Sequence, residues 1–245
     1  PVITGISSDS NITGDGVTSD NTLLVNGTSE ANTVIDILIG NVSIGGATAG
    51  QDGNWLFDYT TTVLADGIYS VTAKATDAAG NTSEPGPVFP VTVDTTQPTL
   101  VISGNSASTN ADTYLATFTF SEDVYGFDQN DITVENGSVT NFTAVSASVY
   151  TASVTTGSEG TITIHVAAGV ANDRAGNLNT AASPYHFIYD LVKPALTIGS
   201  PAMNPTKTAF TATFTFSEDV TGFTVDDIIV GNGSAESFAA TSASV

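Results

Sequence analysis

Apolar and polar residues alternate with a period of two along much of this 245-residue chain. In the run 114–121, for example, Tyr114, Ala116 and Phe118 fall on one face, and Leu115 and Thr117 between them fall on the other. Such alternation predicts β-strands with one buried face, and no window carries the 3.6-residue period of an amphipathic helix. The clearest runs are 69–76, 114–121 and 161–166.

Short turn signals separate these runs. Asp-Gly and Asn-Gly pairs favour the positive backbone angles of tight hairpin turns. Many short strands bounded by such turns are typical of an antiparallel β-sandwich, so the sequence predicts an all-β fold. The pairs occur at 52–53, 66–67, 136–137 and 232–233.

A repeat organises the chain. Residues 118–149 and 214–245 align without a gap at an offset of 96 residues and are identical at 21 of 32 positions. Several landmarks at one spacing indicate tandem copies of one domain. The same offset relates the D-x-x-x-P segments that begin at Asp94 and Asp190, and the D-x-A-G-N segments at 77–81 and 173–177.

The D-x-x-x-P linkers set the predicted domain boundaries. Domain 1 covers residues 1–96, domain 2 covers 97–192, and a third domain, 193–245, is about half a repeat long. Because half a sandwich cannot close its core, we expect the third domain to be a truncated one. Compact domains joined by short linkers predict an elongated array of sandwiches.

Two aromatic residues of domain 1 have predicted structural roles. Trp55 lies in an alternating strand and is predicted to be the main core aromatic, with an exposed binding platform as the alternative. Tyr69 follows Asp66-Gly67 at the start of a strand. The tyrosine corner of immunoglobulin-like sandwiches occupies such a place and bonds nearby backbone through its hydroxyl. The predicted fold class is therefore tandem immunoglobulin-like antiparallel β-sandwiches.

The chain is strongly acidic, with 25 Asp and Glu residues against 4 Lys and Arg and a formal net charge of −21. That charge argues against binding to nucleic acid or to anionic membranes, and no apolar run is long enough to predict membrane insertion. A hydrophobic content of 40% favours a folded chain over a disordered one. There is no cysteine, so added stability has to come from core size or bound metal ions.

Acidic residues from three segments are predicted to meet where domain 1 joins domain 2. In an immunoglobulin-like sandwich, the start of the first strand, the loop after the second strand and the loop before the last strand share one end. At these places the chain carries Asp94 in the linker that enters domain 2, and then Glu122, Asp123 and Asp173 within domain 2. Unpaired carboxylates so close together would raise one another's pKa, and a hard cation with six to eight oxygen ligands resolves the repulsion. We therefore predict Ca²⁺ at this junction, although any single Asp could instead be a turn residue.

Further acids extend the calcium prediction. The next junction repeats the set without the last loop, and domain 1 carries acids at two of the three corresponding places. Another cluster, between the first two strands of domain 1, is expected at the opposite end of that domain, where it would hold an ion or approach the junction with domain 2. The predicted ligands are Asp190, Glu218 and Asp219 at the next junction, Glu30 and Asp77 in domain 1, and Asp9, Asp15 and Asp20 in the further cluster.

Several short motifs stand out along the chain. They are G-T-S-E at 27–30, D-G-N-W at 52–55, L-A-D-G at 64–67, D-A-A-G-N at 77–81, and F-T-F-S-E-D-V at 118–124 and 214–220. In these motifs the chain resembles the bacterial Ig-like repeats of large secreted RTX-type and biofilm-associated adhesins, and the resemblance covers essentially the whole chain. It implies export, often by type I secretion, a cell-surface location, calcium at the linkers, and extender repeats that hold a distal binding domain away from the cell.

These patterns predict a calcium-rigidified structural spacer for cell adhesion or biofilm formation, monomeric as this fragment, with calcium ions and neighbouring repeats as its partners. A carbohydrate- or ice-binding sandwich stays open as an alternative, because seven tyrosines, one tryptophan and many threonines do not exclude an exposed aromatic platform or a flat threonine array. An accessory domain of a secreted hydrolase is a further alternative. No G-x-S-x-G motif is present, and His165 and His186 lie in predicted strands, so we expect the chain not to be an enzyme.

Overall fold

The structure is a computed structural model of the chain, and it describes residues 1–200 and 209–244. These residues contain eighteen β-strands and two 3-10 helices of three residues each, which confirms the predicted all-β class. They fall into two compact units, one of residues 1–190 and one that begins at Leu191. Within the described residues, no helix is both long and apolar enough to cross a membrane.

The first eight strands form the first sandwich. They are β1 (Val2–Ser7), β2 (Val17–Thr18), β3 (Leu24–Thr28), β4 (Val34–Ile39), β5 (Val42–Thr48), β6 (Asn54–Asp58), β7 (Gly67–Thr76) and β8 (Phe89–Val93). One sheet has the order β1-β3-β6 and the other the order β2-β8-β7-β4-β5. Both sheets contribute to one apolar cluster, with Val25 from the first and Ile35 and Val91 from the second.

The next eight strands form the second sandwich. They are β9 (Leu100–Gly104), β10 (Ser108–Thr109), β11 (Thr113–Phe120), β12 (Ile132–Glu135), β13 (Gly137–Ala144), β14 (Val149–Thr156), β15 (Gly160–Val166) and β16 (Tyr185–Tyr189). Their sheets have the orders β13-β14-β11-β9 and β10-β16-β15-β12. The period-two pattern of β11 matches its environment, because Tyr114, Ala116, Phe118 and Phe120 are all buried and alternate with more exposed residues.

One short pair in each sandwich is parallel, whereas the remaining pairs are antiparallel. β2 pairs with β8, and β10 pairs with β16, over two residues each. In both sandwiches the chain leaves the first strand, crosses to the other sheet, and runs alongside the last strand in the same direction. The crossing ties the two sheets together, and it creates the long loop 8–16 between β1 and β2.

The two aromatic predictions for the first sandwich are confirmed. Trp55 is 4% exposed and lies in the core, so it is not a binding platform. A Cβ atom on Gly27 would lie 2.2 Å from the Trp55 ring, which explains the absence of a side chain at that position. The Tyr69 hydroxyl donates a hydrogen bond to the Ala65 carbonyl at 2.7 Å, as a tyrosine corner does.

The second unit repeats part of the second sandwich. β17 (Leu196–Gly199) pairs with β18 (Thr213–Phe216) in an antiparallel sheet. The ring of Phe223 packs on Phe214 at 5.4 Å and on Phe216 at 5.1 Å, just as Phe127 packs on two phenylalanine residues of β11 at 5.8 and 5.1 Å. The local structure therefore follows the sequence repeat, while the domain boundaries 1–96, 97–192 and 193–245 remain predictions.

Candidate metal centre

Three carboxylates from distant parts of the chain meet between the two sandwiches. Asp94 follows β8, Glu122 follows β11, and Asp173 lies in the loop between β15 and β16. One carboxylate oxygen of each lies within 4.8 Å of the other two. The three segments are those expected to share one end of an immunoglobulin-like sandwich.

Asp173 is the most buried member of the group, with only 1% of its surface exposed. Asn177 organises it, because the Asn177 backbone N–H donates to Asp173 Oδ1 at 2.9 Å and the Asn177 side-chain amide donates to Oδ2 at 2.8 Å. The glycine at 176 has a φ of +88° and closes the loop, a conformation that favours glycine. The D-x-A-G-N motif at 173–177 is thus a turn that presents a buried carboxylate.

The linker that carries Asp94 is held from both sandwiches. The Asn177 side-chain amide donates to the Asp94 carbonyl at 2.7 Å, and the Asp94 N–H donates to the Thr18 carbonyl at 2.9 Å. On the other side of the linker, Asp66 Oδ1 accepts hydrogen bonds from the Thr95 backbone N–H at 3.0 Å and hydroxyl at 2.8 Å. The sequence marked Asn177 within D-x-A-G-N and Asp66 within a turn, but it did not predict that these two side chains bond to the linker.

The electrostatics of the group are those of uncompensated negative charge. The pKa of Glu122 is raised, first by burial of its carboxyl group and then by the charges of Asp173 and Asp94. Within residues 1–200 and 209–244, the ion pairs are Arg174 with Asp15 and a contact of His165 with Glu135, so neither neutralises the three carboxylates. For Glu122, the predicted effect of the neighbouring negative charges on the pKa is therefore present.

The donor set suits a hard cation. Three carboxylates offer up to six oxygen atoms, and Ca²⁺ takes six to eight oxygen ligands with flexible geometry. Soft or borderline ions prefer thiolate and imidazole ligands, but the chain has no cysteine, and its two histidines lie in β15 and β16 outside the group. Asp94, Glu122 and Asp173 are therefore the residues that could serve as ligands of a calcium ion.

The other predicted ligands lie outside this group. Asp123 is exposed next to Glu122, and Asp190 ends the first unit while Glu218 lies in the second. In the part of the chain that the structure describes, one group of three acids comes this close together, so metal binding by the rest stays a prediction. These residues are Asp123, Glu30, Asp77, Asp9, Asp15, Asp20, Asp190, Glu218 and Asp219.

The acids between β1 and β3 take part in turns and in one ion pair. Asp9 and Asp20 each accept backbone N–H groups from their own loop. Asp15 accepts a hydrogen bond from Arg174 of the second sandwich at 3.0 Å. The predicted approach of this cluster to the junction is confirmed by the contact of Asp15 with Arg174, and the predicted ion binding stays a prediction.

Comparison with protein families decides the family. A model described as a bacterial Ig-like domain matches residues 94–188 and again residues 190–245, and a second model of the same description matches residues 2–95. The chain belongs to the bacterial Ig-like domain family. The predicted resemblance is thereby confirmed, and the first sandwich matches a different bacterial Ig-like model from the second. No curated protein matches the chain.

Several solved structures are similar to this bacterial Ig-like chain. The fibronectin(III)-like modules of Clostridium thermocellum CbhA are 19% identical, with 75% of this chain and 92% of that chain covered and a TM-score of 0.34. Yersinia pseudotuberculosis InvD is 14% identical, with coverages of 83% and 67% and a TM-score of 0.39. A Ca²⁺-stabilised adhesin with which an Antarctic bacterium binds ice is 18% identical, with coverages of 81% and 51% and a TM-score of 0.35. All three TM-scores are low, so these similarities do not identify the residues of the site in this chain.

Replacement of Glu122 tests the composition of the centre. We expect Glu122→Gln to weaken calcium binding by about tenfold or more, because the number of charged ligands sets the affinity of such sites. The same change should stabilise the calcium-free chain slightly near neutral pH, since a carboxyl whose folded-state pKa is raised opposes folding once it ionises. Calorimetric titration with Ca²⁺ and thermal melts in chelator measure the two effects.

Asp123→Asn is the matched control, because it removes one negative charge from the adjacent, exposed residue outside the group. It should leave the calcium affinity nearly unchanged. A loss as large as that of Glu122→Gln would show that Asp123 is a ligand and that the group of three carboxylates is incomplete.

Proposed function

We propose that this chain is a calcium-stiffened spacer of a bacterial surface adhesin, in which tandem Ig-like domains project a distal binding domain for adhesion or biofilm formation. The observation that carries the proposal is the position of Asp94, Glu122 and Asp173. One lies in the linker and two lie in the second sandwich. A cation bound by all three would fasten the linker to the sandwich that follows it.

Residues of the junction hold the Asp173 carboxylate and the linker in place before a cation binds. The hydrogen bonds of Asn177 fix the direction of the Asp173 carboxylate and hold the linker backbone at Asp94. Burial keeps solvent away from Asp173 and strengthens the repulsion within the group. Bound calcium supplies the positive charge that lets the three carboxylates remain close together.

In this proposal, the stiffness of the junction between the two sandwiches differs between the cytosol and the outside of the cell. Cytosolic free calcium is low, so the junction would stay loose and exportable before secretion, and millimolar calcium outside the cell would close it. Extracellular calcium sites have dissociation constants of roughly 10⁻⁴ to 10⁻³ M, and rigid sites bind more tightly. One such site stabilises the folded chain by about 1.4 kcal/mol at ten times Kd and about 2.7 kcal/mol at a hundred times Kd.

The proposal includes no catalytic role. The histidines lie on strands, where His186 Nδ1 is 3.1 Å from the hydroxyl of Thr163 and His165 is 3.4 Å from a carboxylate oxygen of Glu135. Neither histidine belongs to the acidic group at the junction. The proposal therefore assigns the two histidines to strand surfaces and the acids at the junction to cation binding.

Thermal melting and small-angle scattering, each in calcium and in chelator, test the proposal. We expect calcium to raise the melting temperature by several degrees and to narrow the distribution of interdomain distances, since it bridges the linker and the second sandwich. Magnesium at the same concentration is the control, because its demand for octahedral geometry suits this flexible donor set poorly. Equal melting and equal scattering with and without calcium would refute the spacer mechanism.

A further inference from the structure

A loop of the first sandwich contacts the second sandwich beside the acidic group. Loop 8–16 reaches the β15–β16 loop, where Arg174 Nε donates to Asp15 Oδ2 at 3.0 Å. In the same contact, Asn11 donates from its side-chain amide to the Asp173 carbonyl at 3.2 Å, and the Ser10 hydroxyl donates to the Ala175 carbonyl. We propose that these contacts form a second, cation-independent latch that fixes the orientation of the two sandwiches.

Hydrogen bonds within the first sandwich hold loop 8–16, its part of the latch, in shape. The Gly14 N–H donates to Asp9 Oδ2 at 2.6 Å, and the Val17 N–H donates to Asp15 Oδ1 at 2.9 Å. Ser10 Oγ also accepts the Ser19 N–H at 3.0 Å. Because these bonds hold the loop in shape, little conformational entropy remains to be lost when it contacts the second sandwich.

The base of the loop is tied to the sheet. Gly16 has a φ of +72°, and a Cβ atom there would lie 2.4 Å from the Pro90 carbonyl in β8. Directly after it, β2 pairs with β8. The latch is therefore anchored at the last strand of the first sandwich, which leads into the linker.

On the second sandwich, the latch uses backbone carbonyl groups of the β15–β16 loop, which also carries the proposed calcium ligand Asp173. Ala175 is 1% exposed, and the Asp173–Asn177 hydrogen bonds fix the carbonyl groups of this loop in place. Asp173 thus directs its carboxylate to the acidic group and its carbonyl to Asn11. The latch uses different side chains from the proposed cation site, so it does not depend on that site being occupied.

Arg174 makes the latch specific for this pair of domains. The chain has only four basic residues, and this one lies 3.0 Å from the acid presented by the preceding sandwich. At the corresponding place of the D-x-A-G-N motif, the first sandwich has Ala78. A domain with alanine there could not form the ion pair, so the latch favours a domain of the second type after one of the first type.

A single exposed ion pair contributes little by itself, commonly 0–1 kcal/mol. Here Asp15 is 14% exposed and Arg174 is 59% exposed, and the pair is accompanied by two hydrogen bonds to backbone carbonyls. Removing it should therefore release the orientation of the sandwiches more than it lowers the stability of either one.

Distance measurement between two spin labels tests the latch. The chain has no cysteine, so Val63→Cys and Val101→Cys, at sites 70% and 65% exposed, label one sandwich each. In chelator, we expect Arg174→Ala to broaden the distance distribution by about twofold, because domains without a fixed interface move relative to one another. Asp15→Ala should have the same effect, and the double variant should add nothing further.

Lys74→Ala is the control, since it removes a basic residue that takes no part in the latch, and it should leave the width unchanged. An independent variant, Asn11→Ala, should broaden the distribution without altering the ion pair. If the distance distribution of the unaltered chain in chelator is already as broad as that of Arg174→Ala, so that this substitution does not change the width, there is no latch. Failure of calcium to narrow the distribution of the Arg174→Ala chain would instead count against the proposed cation site and leave the latch standing.

Discussion

Asp173→Ala should abolish calcium-dependent stabilisation of the junction, whereas Asp77→Ala should retain it. Asp173 is the buried member of the group of three acids, and its loss leaves two carboxylates, too few to hold the ion at millimolar calcium. At a calcium concentration a hundred times the wild-type Kd, the lost contribution is about 2.7 kcal/mol. Thermal melts in calcium and in chelator measure it as the difference between the two conditions.

Asp77 provides a close control because it occupies the same turn of the first sandwich. Asp77 accepts the Asn81 N–H at 2.9 Å and the Asn81 side-chain amide at 2.8 Å, the same distances that Asp173 has with Asn177. Both substitutions therefore break one turn of equal design, and only one removes a member of the acidic group. In chelator each variant should melt below the unaltered chain.

The calcium response separates the two variants. Addition of calcium should raise the melting temperature of Asp77→Ala as much as that of the unaltered chain. It should leave the melting temperature of Asp173→Ala unchanged. If both variants keep the full response, the ion binds elsewhere. If both lose it, then the D-x-A-G-N turns support calcium binding in a way that does not depend on the junction.

Much of the fold could be predicted because strand periodicity and a domain-length repeat leave clear marks in a sequence. The alternation of Tyr114, Ala116 and Phe118 predicted the buried face of β11, and that face is buried. The meeting of Asp94, Glu122 and Asp173 followed from the topology of the sandwich, since distant segments share one end of it. Neither inference required knowledge of side-chain detail.

The sequence could not separate Glu122 from Asp123. The two acids are neighbours directly after a strand, and successive side chains of an extended backbone point to opposite sides. Glu122 is the one whose carboxylate lies within 4.8 Å of Asp94 and Asp173, and this depends on how the loop leaves β11. The repeated Glu-Asp pair at 218–219 has the same ambiguity.

The segment between β1 and β3 was harder to interpret. Metal binding by its three acids stays a prediction, while the structure shows that Asp9 and Asp20 accept hydrogen bonds from nearby backbone N–H groups and that Asp15 pairs with Arg174. The arginine lies 159 positions away, so no local pattern connects the two residues. Contacts between domains depend on how the two domains are oriented at the junction. Strand and turn patterns predict the fold of each domain separately and do not predict that orientation.

Phe118→Ala should cost the second sandwich about 3–5 kcal/mol, the range for removing a buried phenylalanine ring. Phe118 is fully buried and packs on Phe127 at a ring distance of 5.8 Å. Domains are commonly stable by only 5–15 kcal/mol, so this one change removes a large share of the total. Denaturant unfolding followed by far-ultraviolet circular dichroism should show a transition at clearly lower denaturant.

The repeat supplies a matched control in Phe214, which occupies the same position 96 residues later. Its ring packs on Phe223 at 5.4 Å, but Phe214 is only partly buried, and residues 209–244 contain no second sheet to cover it. Phe214→Ala should therefore cost much less than Phe118→Ala. An equal loss would mean that the second unit buries this ring as completely as the second sandwich buries its own.

The single tryptophan separates the effect on the two sandwiches. Trp55 lies in the core of the first sandwich, so its fluorescence follows that domain while circular dichroism follows the whole chain. If Phe118→Ala shifts the circular dichroism transition and leaves the fluorescence transition in place, then the two sandwiches unfold independently and the junction contacts are weaker than either core. If both transitions shift together, the contacts at the junction couple the two domains into one cooperative unit, and adding calcium should strengthen that coupling.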